Sequence, residues 1–324
     1  MIELSWTTNC CIPARQWNFL LSFCGNVYRF DIRARSKSRN LAIVSLRANF
    51  DGLKGICDLV CAPKPAQQNT LQESPAFRRL SELIALTAEG RYHLLALLSS
   101  PIELPARRKL LDEHRPCDNI FVVVSGWVQL YRQLKNGGRQ VLNFRLPGEV
   151  FGVESLLYRR SLYSCQAITN CSIAQISHGM FEVTQYEFPR LASAFLLTAV
   201  KDAAMHHEWA VNLGRRPAFQ RIAHVFLELE QRARGALSSP DDEVLLPLTQ
   251  QHIADCTGLT VPYVNRILQQ MRTLKFIDYG PHGLTILDGK RLADAAGFEP
   301  DYLEVSYQTD WQRHLPGKSS VSGG

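Results

Sequence analysis

The segment LTQQHIADCTGLTVPYVNRILQQMRTLK, residues 248–275, constrains the fold more than any other stretch of the chain. Thr249, just after Pro247-Leu248, suits the N-cap of a helix, because its hydroxyl can accept an otherwise orphaned backbone N–H. The helix QQHIADCT would bury Ile253 and Ala254, and the small Ala254 lets a second helix cross close by. Gly258 permits a tight turn, Leu259 can plug the gap between helices, and Thr260 starts the next one. Val264, Ile267, Leu268 and Met271 form that second helix's inner face. Val261, Pro262, Asn265, Arg266, Gln269 and Arg272 are left wholly or partly outward. Asn, Gln and Arg are side chains that can pair with base edges, and a Thr hydroxyl suits a phosphate. Phe276–Tyr279 and Leu284–Leu287, joined by GPHG, have the pattern of a β-hairpin wing. The same pattern fits any helical hairpin with a polar outer face, so spacing alone leaves DNA binding open.

Charge adds little to this. The 324-residue chain carries +6, but the first 75 residues supply +4 of that, with nine Lys/Arg against five Asp/Glu. The helical pair itself, Thr249–Lys275, holds Arg266, Arg272 and Lys275 against Asp255. Apolar residues make up 46%, enough for a sizeable core. No run of eighteen apolar residues is present, so no membrane partner is expected. The opening MIELSW has no basic stretch ahead of an apolar core, and the nine scattered cysteines suit free thiols in a reducing cytoplasm.

The remaining chain divides by character. Residues 1–74 interleave basic residues with short apolar runs and end in the linker-like CAPKPAQQNT; they are expected to be a poorly ordered extension. Leu80–Leu98 has helical spacing, interrupted at Gly90. From Ile120 to about Ile176 the chain turns to strands: IFVVV, WVQLYR, the Asn136-Gly137-Gly138 turn, QVLNFRL and CSIAQIS imply a closed or rolled antiparallel sheet. Pro189 opens a helix running to about Leu213, with Leu191, Phe195, Thr198, Asp202, Met205, Trp209 and Asn212 at alternating spacings of four and three. That stripe serves either as a seam between two copies or as the face lying on the helix's own domain. A second helix spans Ala218 to about Arg232. The fold class is therefore α+β. Its expected parts are 75–188 for the sheet domain, 189–214 for the long helix, 215–290 for the winged helix-turn-helix and 291–324 for a tail.

Three stretches in this order resemble the Crp/Fnr family of transcription regulators: IFVVVSGWVQLYR with GRQVLNFRLPGEVFG, then Pro189–Leu213, then LTQQHIADCTGLTVPYVNRILQQMR. The resemblance covers about two-thirds of the chain. It implies a cyclic-nucleotide-binding-like β-roll, a dimerisation helix carrying Leu191, Phe195, Thr198, Asp202, Met205 and Trp209, and a winged helix-turn-helix. Thr249 is counted with the DNA-binding residues, and Thr260 matches a family Ser/Thr that meets phosphate. Arg266 matches the arginine shared across the family's branches. Asn265 falls where one branch has serine, while Val261 and Pro262 replace a base-proximal arginine and a base-reading glutamate. His252 departs from a commonly acidic position, and solvent exposure alone would account for it.

The implied effector pocket would draw on Gly152, Glu154, Arg159 and Arg160. The family's phosphate-binding Arg-Ser pair falls on Ser161 and Leu162, so a cyclic phosphate lacks its bidentate partner and cAMP is not expected. The cysteines do not match the family's iron-sulphur spacing, and His178, His206 and His207 give no reason to expect haem. Expected partners are double-stranded DNA, a second copy of the chain, RNA polymerase and an unidentified small effector. No phosphate-binding glycine loop, metal-spaced histidine cluster or nucleophile elbow is present, so enzymatic activity is not expected. The alternative to a DNA-binding regulator is a β-roll that senses a ligand or redox state and acts through protein partners.

Overall fold

The computed structural model describes residues 71–237 and 243–304 in full and the backbone of four strands before them. The chain forms two compact units, Met1–Lys64 and Pro65–Gly324. In the first, strands β1 (Trp17–Phe23) and β2 (Asn26–Ile32) pair antiparallel, as do β3 (Arg35–Ser38) and β4 (Leu41–Ile43). The rest of the expected extension at 1–74 lies outside the described residues up to residue 70.

In the second unit, helices α1 (Pro75–Glu82) and α2 (Ala88–Leu98) precede the sheet domain. The break between them falls at 83–87, ahead of Gly90. Thr87 caps α2 by accepting the Gly90 N–H, which makes Gly90 part of a helix start. Eight strands then form two four-stranded antiparallel sheets. One is ordered β10 (Val150–Phe151), β7 (Asn119–Ser125), β12 (Cys171–Ser177) and β5 (Ile102–Leu104). The other is ordered β6 (Lys109–Leu111), β11 (Ser164–Ala167), β8 (Val128–Gln133) and β9 (Arg139–Arg145). Phe121, Val123, Val128, Leu130, Phe151 and Ile173 fill the space between the sheets. Period-two alternation would leave one face of β9 in water, yet Asn143, Phe144 and Arg145 are all buried. Helices cover that face, and its polar residues find partners there.

Helix α3 (Ser155–Tyr158) is a single turn, and α4 (His178–Glu187) leads into the long helix α5 (Pro189–Arg215). α5 starts at Pro189 and ends where Arg216, ahead of Pro217, turns extended. α6 (Ala218–Arg234) buries Ile222, Val225, Phe226 and Leu229. α7 (Gln250–Thr257) and α8 (Val261–Thr273) follow, then the hairpin of β13 (Ile277–Gly280) and β14 (Gly283–Ile286). Leu246 exchanges both backbone hydrogen bonds with Leu284, which pins the wing to the segment entering α7. A side chain at Gly283 would drive its Cβ to 2.3 Å from the Leu246 carbonyl oxygen.

The boundary expected at residue 290 cuts through a last helix, α9 (Gly289–Ala296), which packs on α6. The chain beyond it folds back, setting Phe298 and Tyr302 against His224. One continuous core runs from Trp127, Phe144 and Leu146 of the roll through Trp209 to Phe226, Ile253 and Leu268.

Candidate nucleic-acid interface

α7 and α8 are joined by Gly258, whose φ of +67° is the left-handed conformation that ends α7 without a Cβ penalty. The Leu259 N–H returns to the Ala254 carbonyl at 3.2 Å, closing the turn. Thr249 caps α7 by accepting the His252 N–H, and the His252 Nδ1 accepts the Thr249 N–H at 3.2 Å. His252 thus performs the reciprocal capping usually assigned to a carboxylate. Solvent exposure alone does not describe it. Burial and the nearby Arg139 guanidinium push its pKa down, favouring the neutral ring that can accept this bond. Thr249 is itself exposed, and its hydroxyl oxygen accepts the His252 N–H while its O–H stays available to donate.

Val264, Ile267, Leu268 and Met271 anchor α8 in the core. Thr260, Pro262, Asn265, Arg266, Gln269 and Arg272 are exposed on the other side, and Val261 is half-buried. Thr260 occupies the N-cap position but its side chain makes no capping bond, so its hydroxyl is uncommitted. The Arg266 guanidinium lies 4.4 Å from the centre of the Tyr263 ring, one helical turn earlier. Among the described residues, the side chains of Asn265, Gln269 and Arg272 have no hydrogen-bond partner.

The proposed seam on α5 requires correction. Leu191, Phe195, Met205, Trp209 and Asn212 are buried within the single chain, where a second copy cannot reach them. Phe195 packs edge-on against Phe181, and the Trp209 indole N–H donates to the Glu228 carboxylate. Thr198 is half-buried with its hydroxyl turned to the Phe195 carbonyl, and Asp202 receives two hydrogen bonds from Arg145, at 2.6 and 2.7 Å. The large apolar side chains went to the protomer's own core, where α1, α2, α4, α6 and β10 pack against the helix. The exposed stripe of α5 is instead Leu196, Val200, Ala203, His207, Ala210 and Gly214. It has the same alternating spacing shifted by five residues, about 140° around the helix.

The effector-pocket residues do not converge either. Gly152, at φ +82°, donates its N–H to the Tyr163 hydroxyl at 3.0 Å. Burial, and then the Glu154 carboxylate beside it, push the Tyr163 phenol well above its usual pKa. Arg159 turns away to the His178 ring, its Nη1 2.7 Å from Nδ1, and Arg160 is exposed. Ser161 is buried with its hydroxyl donated to the Tyr163 carbonyl. Tyr163, unremarked in the sequence, therefore takes the backbone donor that the pocket would offer a ligand. Among the described residues, no three His, Cys, Asp or Glu side chains gather as a metal site. Cys117, Cys165, Cys171 and Cys256 are buried free thiols.

Sequence reasoning also missed a buried charge cluster behind this region. Arg232 of α6 bonds to Glu149 (2.7 Å), Glu228 (2.8 Å), the Asn143 side chain and the Phe144 carbonyl. Burial alone would raise the Glu149 pKa, but Arg232, Arg79 and Arg145 override it and hold it at about 2. The one available signal was Glu228 and Arg232 spaced four apart on the apolar face of a helix.

Residues 101–184 match the cyclic nucleotide-binding domain model, and 220–295 match the Crp-like helix-turn-helix domain model. The nitrogen fixation regulation protein FixK of Bradyrhizobium diazoefficiens is 30% identical over 195 residues, 60% of this chain and 81% of that protein. FixK of Rhizobium meliloti is 32% identical over 160 residues, 49% of this chain and 69% of that protein. The solved structure of FixK2 from Bradyrhizobium japonicum superposes with a TM-score of 0.54 at 26% identity, covering 60% of this chain and 96% of that one. These matches and the winged element define a DNA-binding transcription regulator and not an enzyme. The chain belongs to the Crp/Fnr family. No described helix is long and apolar enough to cross a membrane.

Proposed function

We propose that the protein acts as a homodimer that reads a palindromic DNA site through α8 and answers to a signal other than a cyclic nucleotide. The observation that carries this is the outer face of α8. Thr260, Asn265, Arg266, Gln269 and Arg272 are exposed there, their side chains without a hydrogen-bond partner among the described residues, on a helix whose other face is locked in the core. Arg266 is assigned to a guanine, because its fork can meet both acceptors on that base's major-groove edge. Asn265 and Gln269 supply amides for neighbouring bases, Thr260 and Arg272 contact phosphates, and Val261 and Pro262 offer only apolar contact. Thr249 caps α7 and, being exposed, offers its O–H to a phosphate. Two copies would pair along Leu196, Val200, Ala203, His207 and Ala210. The small members of that stripe favour close approach of two helices, and pairing would set two α8 helices about one turn of DNA apart. The Tyr163 hydroxyl on the Gly152 N–H, and the absence of an inward arginine at Arg159 or Arg160, argue against cAMP as ligand. RNA polymerase remains the expected downstream partner.

Selection of bound sequences from randomised duplex DNA, with the protein and its R266A variant, tests the reading. The expected result is a palindrome for the protein and a loss of preference at one position per half-site for the variant. Identical sites and affinities for both would overturn the assignment. Calorimetry with cAMP should show no binding in the micromolar range.

A further inference from the structure

A cavity lies between the roll and the helix-turn-helix, apart from the Tyr163 region. Its volume is about 370 Å³, within the range of small-metabolite sites. Gln129 of β8 and Arg139 of β9 line it from the outer sheet (β6, β11, β8 and β9), Arg107 from the turn between β5 and β6, Thr249 and His252 from the start of α7, and Ile168 and Pro247 add apolar wall. Among the described residues no acidic side chain lines it, and Asp255 stands behind Arg139 as its ion-pair partner.

Three observations point to a missing occupant. First, Gln129 is 2% exposed, and its Oε1 has no hydrogen-bond partner among the described residues. The amide cannot be turned to cure this. Gln166 Nε2 donates to the Arg107 carbonyl, so Gln166 presents Oε1 to Gln129, whose Nε2 must donate. The Gln129 oxygen is thereby left as a buried acceptor awaiting a donor, a costly state without one. Second, Arg107 holds φ at +68°, a left-handed conformation that glycine adopts at far lower cost, while its own guanidinium has no partner among the described residues. Third, the Arg139 guanidinium is held in place by Asp255 of α7 at 2.6 Å and by the Tyr131 ring at 5.1 Å. A cation fixed in this way is ready for a ligand with little further ordering.

We infer that this cavity binds a small oxyanion metabolite, a carboxylate or phosphate monoester carrying an additional hydrogen-bond donor. The oxyanion sits with Arg107 and Arg139, and the donor satisfies Gln129 Oε1. Such a ligand touches the outer sheet and the first turn of α7 together, so its binding stiffens the junction between roll and helix-turn-helix. The effect on DNA rests on the function proposed above; the binding does not.

Calorimetry on the full chain without DNA tests the binding separately from that reading. The probes are malate and succinate, which differ by one hydroxyl donor, and O-phosphoserine with ethyl phosphate, its counterpart without the amino and carboxyl groups, as the phosphate arm, at about pH 8 where both phosphates are dianions without a donor of their own. Malate or O-phosphoserine should bind at least tenfold more tightly than its partner lacking the extra donor. R107A, at an exposed position, should weaken binding at least tenfold, while R115A, at an exposed arginine outside the cavity, should leave it unchanged. Q129L should erase the preference for the probe with the donor. Equal weak binding of all four probes, unchanged in R107A, would overturn the proposal. A probe that competes with DNA, together with weaker DNA binding by R107A in its absence, would also overturn it by making the cavity a phosphate contact for DNA.

Discussion

Arg266 does not stand alone on α8. With its guanidinium stacked on Tyr263, fewer rotamers remain open to a long side chain that must meet a base edge. Exposed stacking of this kind is worth about 0.5–1 kcal/mol, so Y263A should cost a few-fold in affinity, concentrated at the base pair that Arg266 reads. Y263F keeps the ring and should leave the preference intact, as fluorescence anisotropy on single-base variants of the selected site would record. Equal loss at every position would make Tyr263 a packing residue only. The capping pair behind this surface is a matter of the same scale. T249A removes the side-chain acceptor for the His252 N–H and should destabilise the domain by about 0.5–2 kcal/mol in urea unfolding. His252→Glu restores the acidic capping partner and should retain the wild-type midpoint at neutral pH.

At the scale of elements, α5 shows what a helical pattern does and does not reveal. Two stripes with the same alternating spacing coexist on it, and spacing alone cannot rank them. Side-chain volume does. Leu191, Phe195, Met205 and Trp209 require a deep apolar groove, which α1, α4, α6 and the roll supply together, while Ala203, Ala210 and Gly214 suit a shallow contact between equal helices. The double variant L196E/V200E places charge on the exposed stripe without touching the core. Sedimentation velocity should then report a monomer with unchanged far-UV circular dichroism, and affinity for a full palindrome should fall toward that for a half-site. A variant that remains dimeric would move the seam elsewhere. The helix-turn-helix was legible because its rules are local: a Thr cap, a Gly turn and a three-four apolar pattern lie within 27 residues. The Tyr163–Gly152 bond was not, because its two residues are brought together by the curl of the roll and neither carries a motif.

Across the whole molecule, the roll and the DNA-binding end are joined by buried polar groups. Glu149 and Asn143 come from the roll, Asp202 from α5, Glu228 and Arg232 from α6, and Tyr302 from the chain beyond α9. None of these pairings is local except Glu228 with Arg232, which explains why sequence spacing did not expose the cluster. Removing one member strands the others: R232M should destabilise the chain by about 3–5 kcal/mol, since it leaves Glu149 and Glu228 without their shared cation. The histidine in this region sets a pH limit. His224 is fully buried, its Nε2 lies 3.1 Å from the Tyr302 hydroxyl, and its Nδ1 has no partner among the described residues. Burial, then the Arg216 charge, lower its pKa from 6.5 to about 3, while Glu208 stands 3.8 Å away as the nearest carboxylate. Above pH 6.5 the ring is neutral in both folded and unfolded chains, and stability is complete. As the pH falls below that, only the unfolded chain takes up the proton, and stability drops by up to about 1.4 kcal/mol per unit. The loss continues until the folded ring itself titrates near pH 3. Burial pushes His252, His206 and His178 in the same direction and adds to the slope. Glu149 is held at about 2, so it stays ionised and paired throughout this window, and its contribution to stability declines only once the unfolded chain's carboxylates begin to take up protons near pH 4.5. Urea unfolding at pH 7 and pH 5 isolates the histidines, because carboxylates in the unfolded chain titrate mainly below that interval. H224Q should lose markedly less stability between the two pH values than the wild type does, by about 2 kcal/mol. Equal losses in both proteins would show that the folded chain protonates His224 without cost.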